Sequence, residues 1–447
     1  MKTIFLFIPN FVYASDLLCT DYIKYLSQKF KAVVFLPEGT MDEKHPYYAS
    51  PNIVYLPWKI QFPKFWNLFG KILRYSLIRK FDGEPVLKRH HKRGFTAKRK
   101  FFRPFAYLFP KNFLTPDLFL KLETFFLPRS GKFKKYCAQY HPEIILTATP
   151  GFNHLDAEVI ALAKKEGLKT AAVDFSWDNL FGGSKNLRKP DYLVVWNDII
   201  KETAIKMHGF SPEKVFVSGV MRFDHYFIDS PGELSRADFL NKKGLDPSKK
   251  TILITTVTDG NYPLENELIA RLLEARENGK IKNEPNFFIR LHPKDDWAKY
   301  ERFLAQKNVA VEEAGEKRGV EAGSRIEMSG EDLANLKSTL KFCDLVINYA
   351  STITLEACVF DKPVINIGFP EKYLDAYEFS HYKPIVQEEA VKVAKSFNQM
   401  IEGINFYLAN PRADGEKRRK ITENFIKFTD GRSFRRNVDL AEKIISL

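Results

Sequence analysis

Short apolar runs of strand length alternate with helix-like segments along most of this chain, and the alternation starts afresh once, near the middle. Such alternation indicates α/β architecture, because successive strands of a parallel sheet are joined by helical crossovers. The fresh start follows Asp246-Pro247-Ser248. A chain of 447 residues also exceeds what one hydrophobic core usually supports. The sequence therefore predicts two Rossmann-like domains, each built on a parallel sheet.

The strand-like runs are the most specific part of this prediction. In the first half, strands are expected at 3–8, 32–36, 53–56, 143–147, 169–174, 192–196 and 215–218. In the second half, they are expected at 251–257, 286–291, 309–312, 344–348 and 363–367. Helices are expected between the strands, among them 13–27, 154–166, 297–306, 352–360 and 387–408. We assign residues 1–245 to an N-terminal domain, 246–410 to a C-terminal domain, and 411–447 to helices that pack back toward the first domain.

The positive charge of the chain is concentrated in one segment. The net charge is +14, and the stretch from Lys59 to Lys135 alone holds 20 Lys and Arg against 4 Asp and Glu. We therefore place a basic insertion at about 59–136, which is also rich in aromatic residues. Basic and aromatic residues together suit the surface of an anionic membrane, which we expect as a partner. The alternatives are a helical subdomain with its own aromatic core and nucleic-acid binding, which lacks any recognition motif here and is not expected.

Polar residues follow several strands of the second half, at positions where open α/β sheets bind phosphate groups. Arg290, His292 and Pro293 stand at the carboxyl end of one strand, and Ser351, Thr352 and Thr354 open the helix after another. Hydroxyl groups and free amides at a helix start hold phosphates at the positive end of the helix dipole. The preceding turn, Thr258-Asp259-Gly260, gives the backbone room to approach such a ligand. These residues predict a nucleotide-binding half of the molecule.

The same residues carry a family resemblance. Arg290-Leu-His292-Pro293 and Asn348-Tyr-Ala-Ser351-Thr352 resemble motifs of the CDP-glycerol glycerophosphotransferase family of teichoic-acid synthesis, and similar pairs occur in bacterial polysialyl- and Kdo-transferases. The resemblance implies a GT-B fold, with two Rossmann-like domains facing a cleft and the nucleotide-activated donor held by the second. It also implies that Glu356 hydrogen-bonds a ribose or sugar hydroxyl.

The first half holds the candidates for the catalytic base. Transfer to an acceptor hydroxyl needs a group that takes its proton. Asp178 follows a strand and is our first candidate, with Asp174 and His154 as competitors, although an aspartate in such a loop is more often a helix cap. Where the resembling family has a catalytic His in a Trp-His-Gly loop, this chain has Trp177-Asp178-Asn179. The resemblance therefore implies a glycosyltransferase relative more than glycerophosphate transfer itself.

Several classes of site lack support in the sequence. The four cysteines have no CxxC spacing, so neither a zinc site nor a disulfide framework is expected. No Walker A, GxGxxG or HExxH motif occurs after a strand, which disfavours ATPase, dehydrogenase and zinc-hydrolase functions. We expect metal-independent transfer that requires no cofactor. The first apolar run is shorter than the signal-peptide core of about 7 to 15 residues, so we expect a cytoplasmic protein.

Together these features predict a metal-independent GT-B glycosyltransferase. It would move a sugar from a nucleotide-sugar donor to a lipid-linked or cell-surface polysaccharide acceptor, while associated peripherally with the inner face of the cytoplasmic membrane. Three alternatives stay open: a CDP-glycerol-type glycerophosphotransferase, an enzyme like the UDP-sugar 2-epimerases, and a non-catalytic binding protein on a transferase fold. The base, sugar, acceptor and linkage are not specified by the sequence.

Overall fold

A computed structural model describes residues 1–38, 47–60, 130–181, 189–229, 232–258, 261–318, 325–327 and 329–447, together with 118, 121 and 125. The predicted basic insertion therefore lies almost entirely outside the described residues. The chain forms two compact units. Residues 1–222 and 432–447 form the first unit, and residues 223–431 form the second.

The first unit is built on a seven-stranded sheet whose strands are all parallel, in the order β3-β2-β1-β4-β5-β6-β7. The strands are β1 (Thr3–Phe7), β2 (Lys31–Pro37), β3 (Ile53–Trp58), β4 (Pro142–Thr147), β5 (Lys169–Val173), β6 (Tyr192–Val195) and β7 (Val215–Val217). The helices are α1 (Phe11–Leu18), α2 (Asp21–Lys29), α3 (Gly131–Tyr140), α4 (His154–Lys165) and α5 (Asp198–His208). The predicted strands and their parallel arrangement are confirmed.

Both faces of this sheet are buried, which explains why its strands read as unbroken apolar runs. Along β1, Ile4 and Leu6 belong to one core cluster, whereas Phe5 and Phe7 belong to another on the opposite face. The alternation follows from the two-residue period of a strand. The terminal helix of the chain, Ser433–Ser446, packs into the first of these clusters. Its residues therefore belong to the first unit, although they follow the second in sequence.

The second unit contains a six-stranded parallel sheet in the order β10-β9-β8-β13-β14-β15. The strands are β8 (Thr251–Thr255), β9 (Asn286–Arg290), β10 (Val309–Glu312), β13 (Leu345–Asn348), β14 (Val364–Ile367) and β15 (Lys392–Ala394), and β11 (Glu316–Arg318) and β12 (Arg325–Glu327) form a separate antiparallel pair. The helices are α6 (Arg236–Lys242), α7 (Glu265–Glu277), α8 (Gly330–Phe342), α9 (Ile353–Val359), α10 (Lys383–Gln387), α11 (Phe397–Ala409) and α12 (Gly415–Ile421), and α13 (Ser433–Ser446) belongs to the first unit. The predicted second Rossmann-like domain is confirmed.

Several predicted helices have different boundaries in the structure. The helix expected at 13–27 is two helices, because Thr20 accepts a hydrogen bond from the Tyr22 amide and starts α2 as its N-cap. The segment expected as one helix at 297–306 consists of two short 3₁₀ segments, Trp297–Lys299 and Glu301–Ala305. The segment 387–408 begins with strand β15 before α11 starts. The chain passes from the first unit to the second after Arg222, earlier than the boundary expected at residue 245.

Each sheet has one point where the order of the strands reverses direction. In the first sheet this point lies between the neighbours β1 and β4, and in the second it lies between β8 and β13. The loops that leave the carboxyl ends of such a pair run to opposite sides, so a crevice opens between them. Within the described part of the chain, no helix combines the length and apolar character needed to cross a membrane.

Candidate active site

Beside the carboxyl ends of β8 and β9, four polar groups of the second unit are joined by hydrogen bonds. The backbone amide of His292 donates a hydrogen bond to Thr256 Oγ1 at 2.8 Å. The Thr256 hydroxyl in turn donates to Asp295 Oδ2 at 2.7 Å, and the hydroxyl of Tyr300 donates to the same oxygen at 2.8 Å. The loop that carries His292 is thereby fixed to the end of β8. The sequence had not singled out Thr256 or Asp295 as site residues, although Thr256 lies at the end of an expected strand.

The tautomer and charge of His292 follow from its surroundings. The amide of Lys294 donates a hydrogen bond to His292 Nδ1 at 3.0 Å, so this nitrogen accepts and the ring proton resides on Nε2. Partial burial and the adjacent Lys294 lower the pKa of His292 below its usual value, and Asp295 opposes this only in part. The imidazole is therefore neutral near pH 7. It offers one N–H donor and no positive charge.

Arg290 is committed to an internal network. Its side chain is only 4% exposed, and one guanidinium nitrogen lies against Glu312. The other, Nη2, contacts both carboxylate oxygens of Asp332 at 2.7 and 2.9 Å. The two carboxylates neutralise the charge of Arg290. The ion pairs also hold β9, β10 and α8 together, because each of the three residues lies in a different one of these elements. Arg290 thereby fixes the strand end that carries His292, two residues further on, whereas Pro293 follows as the next loop residue.

The turn after β13 presents Ser351 on a buried polar support. Asn348 Oδ1 accepts hydrogen bonds from the Thr354 hydroxyl at 3.1 Å and from Asn366 Nδ2 at 3.0 Å. Ala350 adopts a left-handed φ of 41°, a conformation that costs energy for a residue with a side chain. Ser351 remains partly accessible in this turn, and its Oγ accepts from the Ile353 amide at 3.3 Å.

The remaining residues that were predicted to bind the nucleotide donor differ in their exposure to solvent. Thr354 is buried, and its hydroxyl is also 2.7 Å from that of Tyr382. Thr354 therefore stabilises the turn from the interior of the second unit. Thr352 is the N-cap residue of α9, with helical backbone angles (φ −57°, ψ −27°). Glu356 is 7% exposed, and its carboxylate accepts a hydrogen bond from the hydroxyl of Tyr226. This Tyr226 contact was not foreseen from the sequence.

The loop after β8 is described only in part. The carbonyl of Thr258 accepts hydrogen bonds from the amides of Asn261, at 2.7 Å, and Tyr262, at 3.2 Å. Both amides therefore bond back to Thr258, three residues after the end of β8. Asp259 and Gly260, which the sequence placed in a turn here, lie outside the described residues.

In the first unit, the residues after β5 form a compact acidic loop. Asp174 is fully buried, and its Oδ1 accepts hydrogen bonds from Asn179 Nδ2 at 2.8 Å and from the Ser176 amide at 3.4 Å. Its other oxygen, Oδ2, has no hydrogen-bond partner among the described residues. Burial raises the pKa of Asp174 to about 7. Asp178, which is partly exposed, accepts a hydrogen bond from the hydroxyl of Ser176.

A second buried acid, Asp156, was not found from the sequence. Its Oδ2 accepts hydrogen bonds from the Thr149 hydroxyl at 2.6 Å and from Asn153 Nδ2 at 2.7 Å. Burial raises the pKa of Asp156 to about 7 as well. It lies in the first turn of α4, where an acidic residue is usually explained by the helix dipole. His154 begins this helix, but its side chain lies outside the described part of the structure.

Tyr13 shows that these acids share one region of the first unit. Burial and the nearby carboxylates of Asp174, Asp156, Asp16 and Asp178 raise the pKa of its hydroxyl well above the usual range. Asp16 is itself buried in α1. The carboxyl groups therefore converge beside the carboxyl edge of the first sheet. Among the described residues, no group of three or more His, Cys, Asp or Glu side chains is arranged to hold a metal ion.

Comparison with known proteins identifies the family to which this chain belongs and several solved structures with a similar fold. Residues 158–443 match the model of the family described as CDP-glycerol:poly(glycerophosphate) glycerophosphotransferase, which is more than half of the chain. No curated protein sequence matches the chain.

Three similar solved structures illustrate the fold. MnaA from S. aureus in complex with UDP is 12% identical, with a TM-score of 0.55 and coverage of 100% of this chain and 98% of that chain. The UDP-GlcNAc 2-epimerase from Neisseria meningitidis bound to UDP-GlcNAc is also 12% identical, with a TM-score of 0.52 and coverage of 99% and 100%. A variant of the wall teichoic acid polymerase TagF with CDPG is 10% identical, with a TM-score of 0.50 and coverage of 100% and 89%. The fold class expected from the sequence, GT-B with two Rossmann-like domains, is confirmed.

Proposed function

Because the chain belongs to the CDP-glycerol:poly(glycerophosphate) glycerophosphotransferase family and is a transferase with a nucleotide-activated donor, we propose that the group it transfers is a sugar. The acceptor is a lipid-linked or cell-surface polysaccharide at the inner face of the cytoplasmic membrane. The donor nucleotide binds in the second unit, beside His292 and Ser351. A carboxylate of the first unit, Asp174 or Asp178, takes the proton of the acceptor hydroxyl.

The observation that carries this proposal is the buried acid Asp174. A base must be ionised in part and must bind protons readily near the working pH, so a pKa of about 7 suits the task. The deprotonated acceptor oxygen attacks the anomeric carbon, and the bond from that carbon to the donor phosphate oxygen breaks. The leaving nucleotide keeps the electron pair. Where the resembling family has a histidine, this chain supplies carboxylates at 174 and 178.

The donor side supports the same reaction through hydrogen bonds. His292 offers Nε2–H, and the partly exposed Ser351 offers its hydroxyl beside the reversal point of the second sheet. Such fixed donors stabilise charge on a leaving phosphate without rearrangement during the reaction. The expectation that neither a metal nor a cofactor is needed forms part of this proposal.

Nucleotide binding is the first test. Thermal unfolding in the presence of CMP, CDP, UDP, GDP or TDP should show a raised melting temperature for one base, because a ligand that binds only the folded state stabilises it. His292→Ala and Ser351→Ala should each weaken the binding of that nucleotide by about tenfold, which is equivalent to the loss of one hydrogen bond to a charged group. Ser338→Ala, whose hydroxyl bonds to its own helix at Ala334, serves as the control. Unchanged affinity in both site variants would refute the donor site.

Product analysis separates the alternatives. Incubation with CDP-glycerol and acceptor would give a glycerophosphate product if the chain acts as a CDP-glycerol-type enzyme, and CMP would leave. Incubation with UDP-sugar alone would give an epimer if it resembles the 2-epimerases, several of which share its fold. Release of a nucleoside mono- or diphosphate from a nucleotide sugar only in the presence of acceptor supports glycosyl transfer. Sugar epimerisation without acceptor would overturn the proposal.

The membrane part of the proposal rests on the charge of the segment from Lys59 to Lys135. Flotation with anionic liposomes should show binding that weakens as salt is raised from about 0.05 M to about 0.5 M, because salt screens attraction to charged headgroups. Liposomes of neutral lipid are the control. Equal binding to neutral and anionic liposomes would contradict the membrane assignment.

A further inference from the structure

The loop after β5 brings one of its own side-chain amides against the buried acid that begins it. Asn179 Nδ2 donates a hydrogen bond to Asp174 Oδ1 at 2.8 Å, and the backbone amide of Ser176 donates to the same oxygen at 3.4 Å. Asp174 is fully buried, whereas Asn179 is partly exposed. In the part of the chain that the structure describes, Asn179 is the only side chain that donates to Asp174.

The backbone is held on both sides of Asn179. Before it, the amide of Asp174 donates to the carbonyl of Val194 on β6 at 2.8 Å. After it, the carbonyl oxygen of Leu180 lies 2.9 Å from Nε2 of His208, the last residue of α5. His208 therefore contacts the loop through a backbone carbonyl. Because the loop is fixed at both ends, the Asn179 amide reaches the carboxylate without any rearrangement.

The groups around Asp174 act on its charge in opposite directions. Burial favours the protonated form, and the nearby carboxylate of Asp178 acts in the same direction. The hydrogen bond from Asn179 is the strongest effect that favours the ionised form, and the Ser176 amide adds to it. The balance leaves the pKa of Asp174 at about 7. A cation in place of the neutral amide would favour the ionised form further and would leave a weaker base.

The other titratable groups of this region carry negative charge or none. Tyr13 of α1 lies near enough to Asp174 for that carboxylate to raise the pKa of the Tyr13 hydroxyl. Asp16, also in α1, and Asp156, in the first turn of α4, act on Tyr13 in the same way. None of these groups favours a negative charge on Asp174. Among the described residues, hydrogen-bond donors favour its ionised form, and cations do not.

We propose that Asn179 is a positioning residue, whose side-chain amide keeps the Asp174 carboxylate in the ionised form that takes the proton of the acceptor hydroxyl. The assignment rests on the proposed transferase function. The proton passes from the acceptor oxygen to the carboxylate, which becomes a neutral carboxylic acid, and Asn179 itself gives up no proton. Without the amide, burial and Asp178 would act on the carboxylate with less opposition, so a smaller fraction of Asp174 would be ionised at neutral pH.

Urea unfolding between about pH 5 and about pH 9 tests this contact without any substrate. At the lower pH, Asp174 is protonated, so Asn179→Ala loses a hydrogen bond between neutral groups, whereas at the higher pH it loses one to a charge. The variant should therefore raise the unfolding equilibrium constant by about tenfold more at pH 9 than at pH 5. In a protein that also carries Asp174→Asn, the effect of Asn179→Ala should be equal at every pH.

Asn52→Ala is the matched control. Asn52 is also partly exposed and lies in the same unit, and its Nδ2 donates to the backbone carbonyl of Ser27 at 2.9 Å. Because the acceptor of this hydrogen bond does not titrate, the loss of stability in Asn52→Ala should not change with pH.

The pH–rate profile tests the role of the contact in the reaction. Nucleotide release is followed from nucleotide sugars that carry the base selected by thermal unfolding, with water in place of the acceptor hydroxyl. The rate of Asn179→Ala should be about tenfold below that of the native protein near pH 6 and should approach it near pH 9, because the ionised fraction of Asp174 recovers as the pH rises. Asn52→Ala should keep the native profile.

The outcomes separate this proposal from the transferase function. A loss of stability in Asn179→Ala that is equal at all pH values would overturn it, because Asn179 would then only close the loop. A rate that falls by the same factor at every pH would also overturn it. If no nucleotide raises the melting temperature, the transferase proposal fails, and the pH dependence of unfolding still decides whether Asn179 acts on the charge of Asp174.

Discussion

Replacement of Asp174 by Asn should make the protein more stable and less active. Asn keeps an oxygen that can accept the hydrogen bonds from Asn179 and from the Ser176 amide. It removes the charge and places an amide NH2 group where Asp174 has the oxygen Oδ2. The ionised carboxylate is costly here because the side chain is fully buried, and one of its oxygens has no partner among the described residues. A residue kept at such a cost is explained by its chemistry more readily than by its packing.

The size and the sign of this change in stability follow from the pKa of Asp174. Burial raises the pKa of Asp174 from 3.8 to about 7, and each unit is equivalent to about 1.4 kcal/mol. The folded state therefore binds the proton more tightly than the unfolded state, so stability is highest below about pH 4 and is lost as the pH rises through about 7. The total loss is on the order of 4 kcal/mol. Asp174→Asn removes this loss.

Urea unfolding of native protein and variant at several pH values measures the effect. The stability gained by Asp174→Asn should grow from near zero at about pH 4 to on the order of 4 kcal/mol at about pH 8. Asp21→Asn, at an exposed aspartate in the first turn of α2, should change stability by less than about 1 kcal/mol throughout. Transfer activity of Asp174→Asn should fall by at least about a hundredfold if Asp174 is the base. A gain that does not depend on pH would refute the argument.

Two further substitutions test the packing of the second unit. Arg290→Met should lower the free energy of unfolding by about 3–5 kcal/mol, because it leaves Glu312 and Asp332 without their buried partner. Arg302→Met, at an exposed arginine, is the control. Equal losses of stability for the two variants in urea unfolding would contradict the network around Arg290. Gly431→Ala should cost about 2–4 kcal/mol, because its φ is +66° and an added Cβ would lie 2.7 Å from Ile228 Cγ1. Gly209→Ala has a φ of +67° but meets nothing within 4 Å among the described residues, so a similar loss there would show that the clash contributes nothing.

The fold could be predicted from the sequence because buried parallel strands leave a strong local signal. Strands such as β1 and β9 have every residue buried, so their apolar runs stand out from the segments beside them. Strand β15 was missed, since its three residues, Lys392–Ala394, begin with a lysine and form the edge of the sheet. The break between α1 and α2 was also missed, because it depends on one capping hydroxyl, that of Thr20.

The sequence indicated residues for the candidate site but could not show what each side chain contacts. A residue's position after a strand is visible in the sequence, and it led to His292 and Ser351. The partners of Arg290 come from residues 22 and 42 positions further along the chain, so its neutralisation could not be seen. Asp156 was missed for a similar reason, since only the folded structure shows that it is buried with an atom that lacks a partner among the described residues.

The distribution of charge within the second unit limits which groups could stabilise a departing phosphate there. Arg290 is neutralised by Glu312 and Asp332, and His292 is uncharged near pH 7 because burial and Lys294 lower its pKa. Under the proposed function, a leaving phosphate at this strand edge would be stabilised by hydrogen-bond donors, with Lys294 as the cation that acts on His292. Donors fixed by the fold need no reorganisation when charge develops, so a site with little formal charge still favours departure of the nucleotide. The same proposal requires a base in the first unit, and Asp174, whose pKa burial raises to about 7, would take the acceptor proton without a strongly charged ground state.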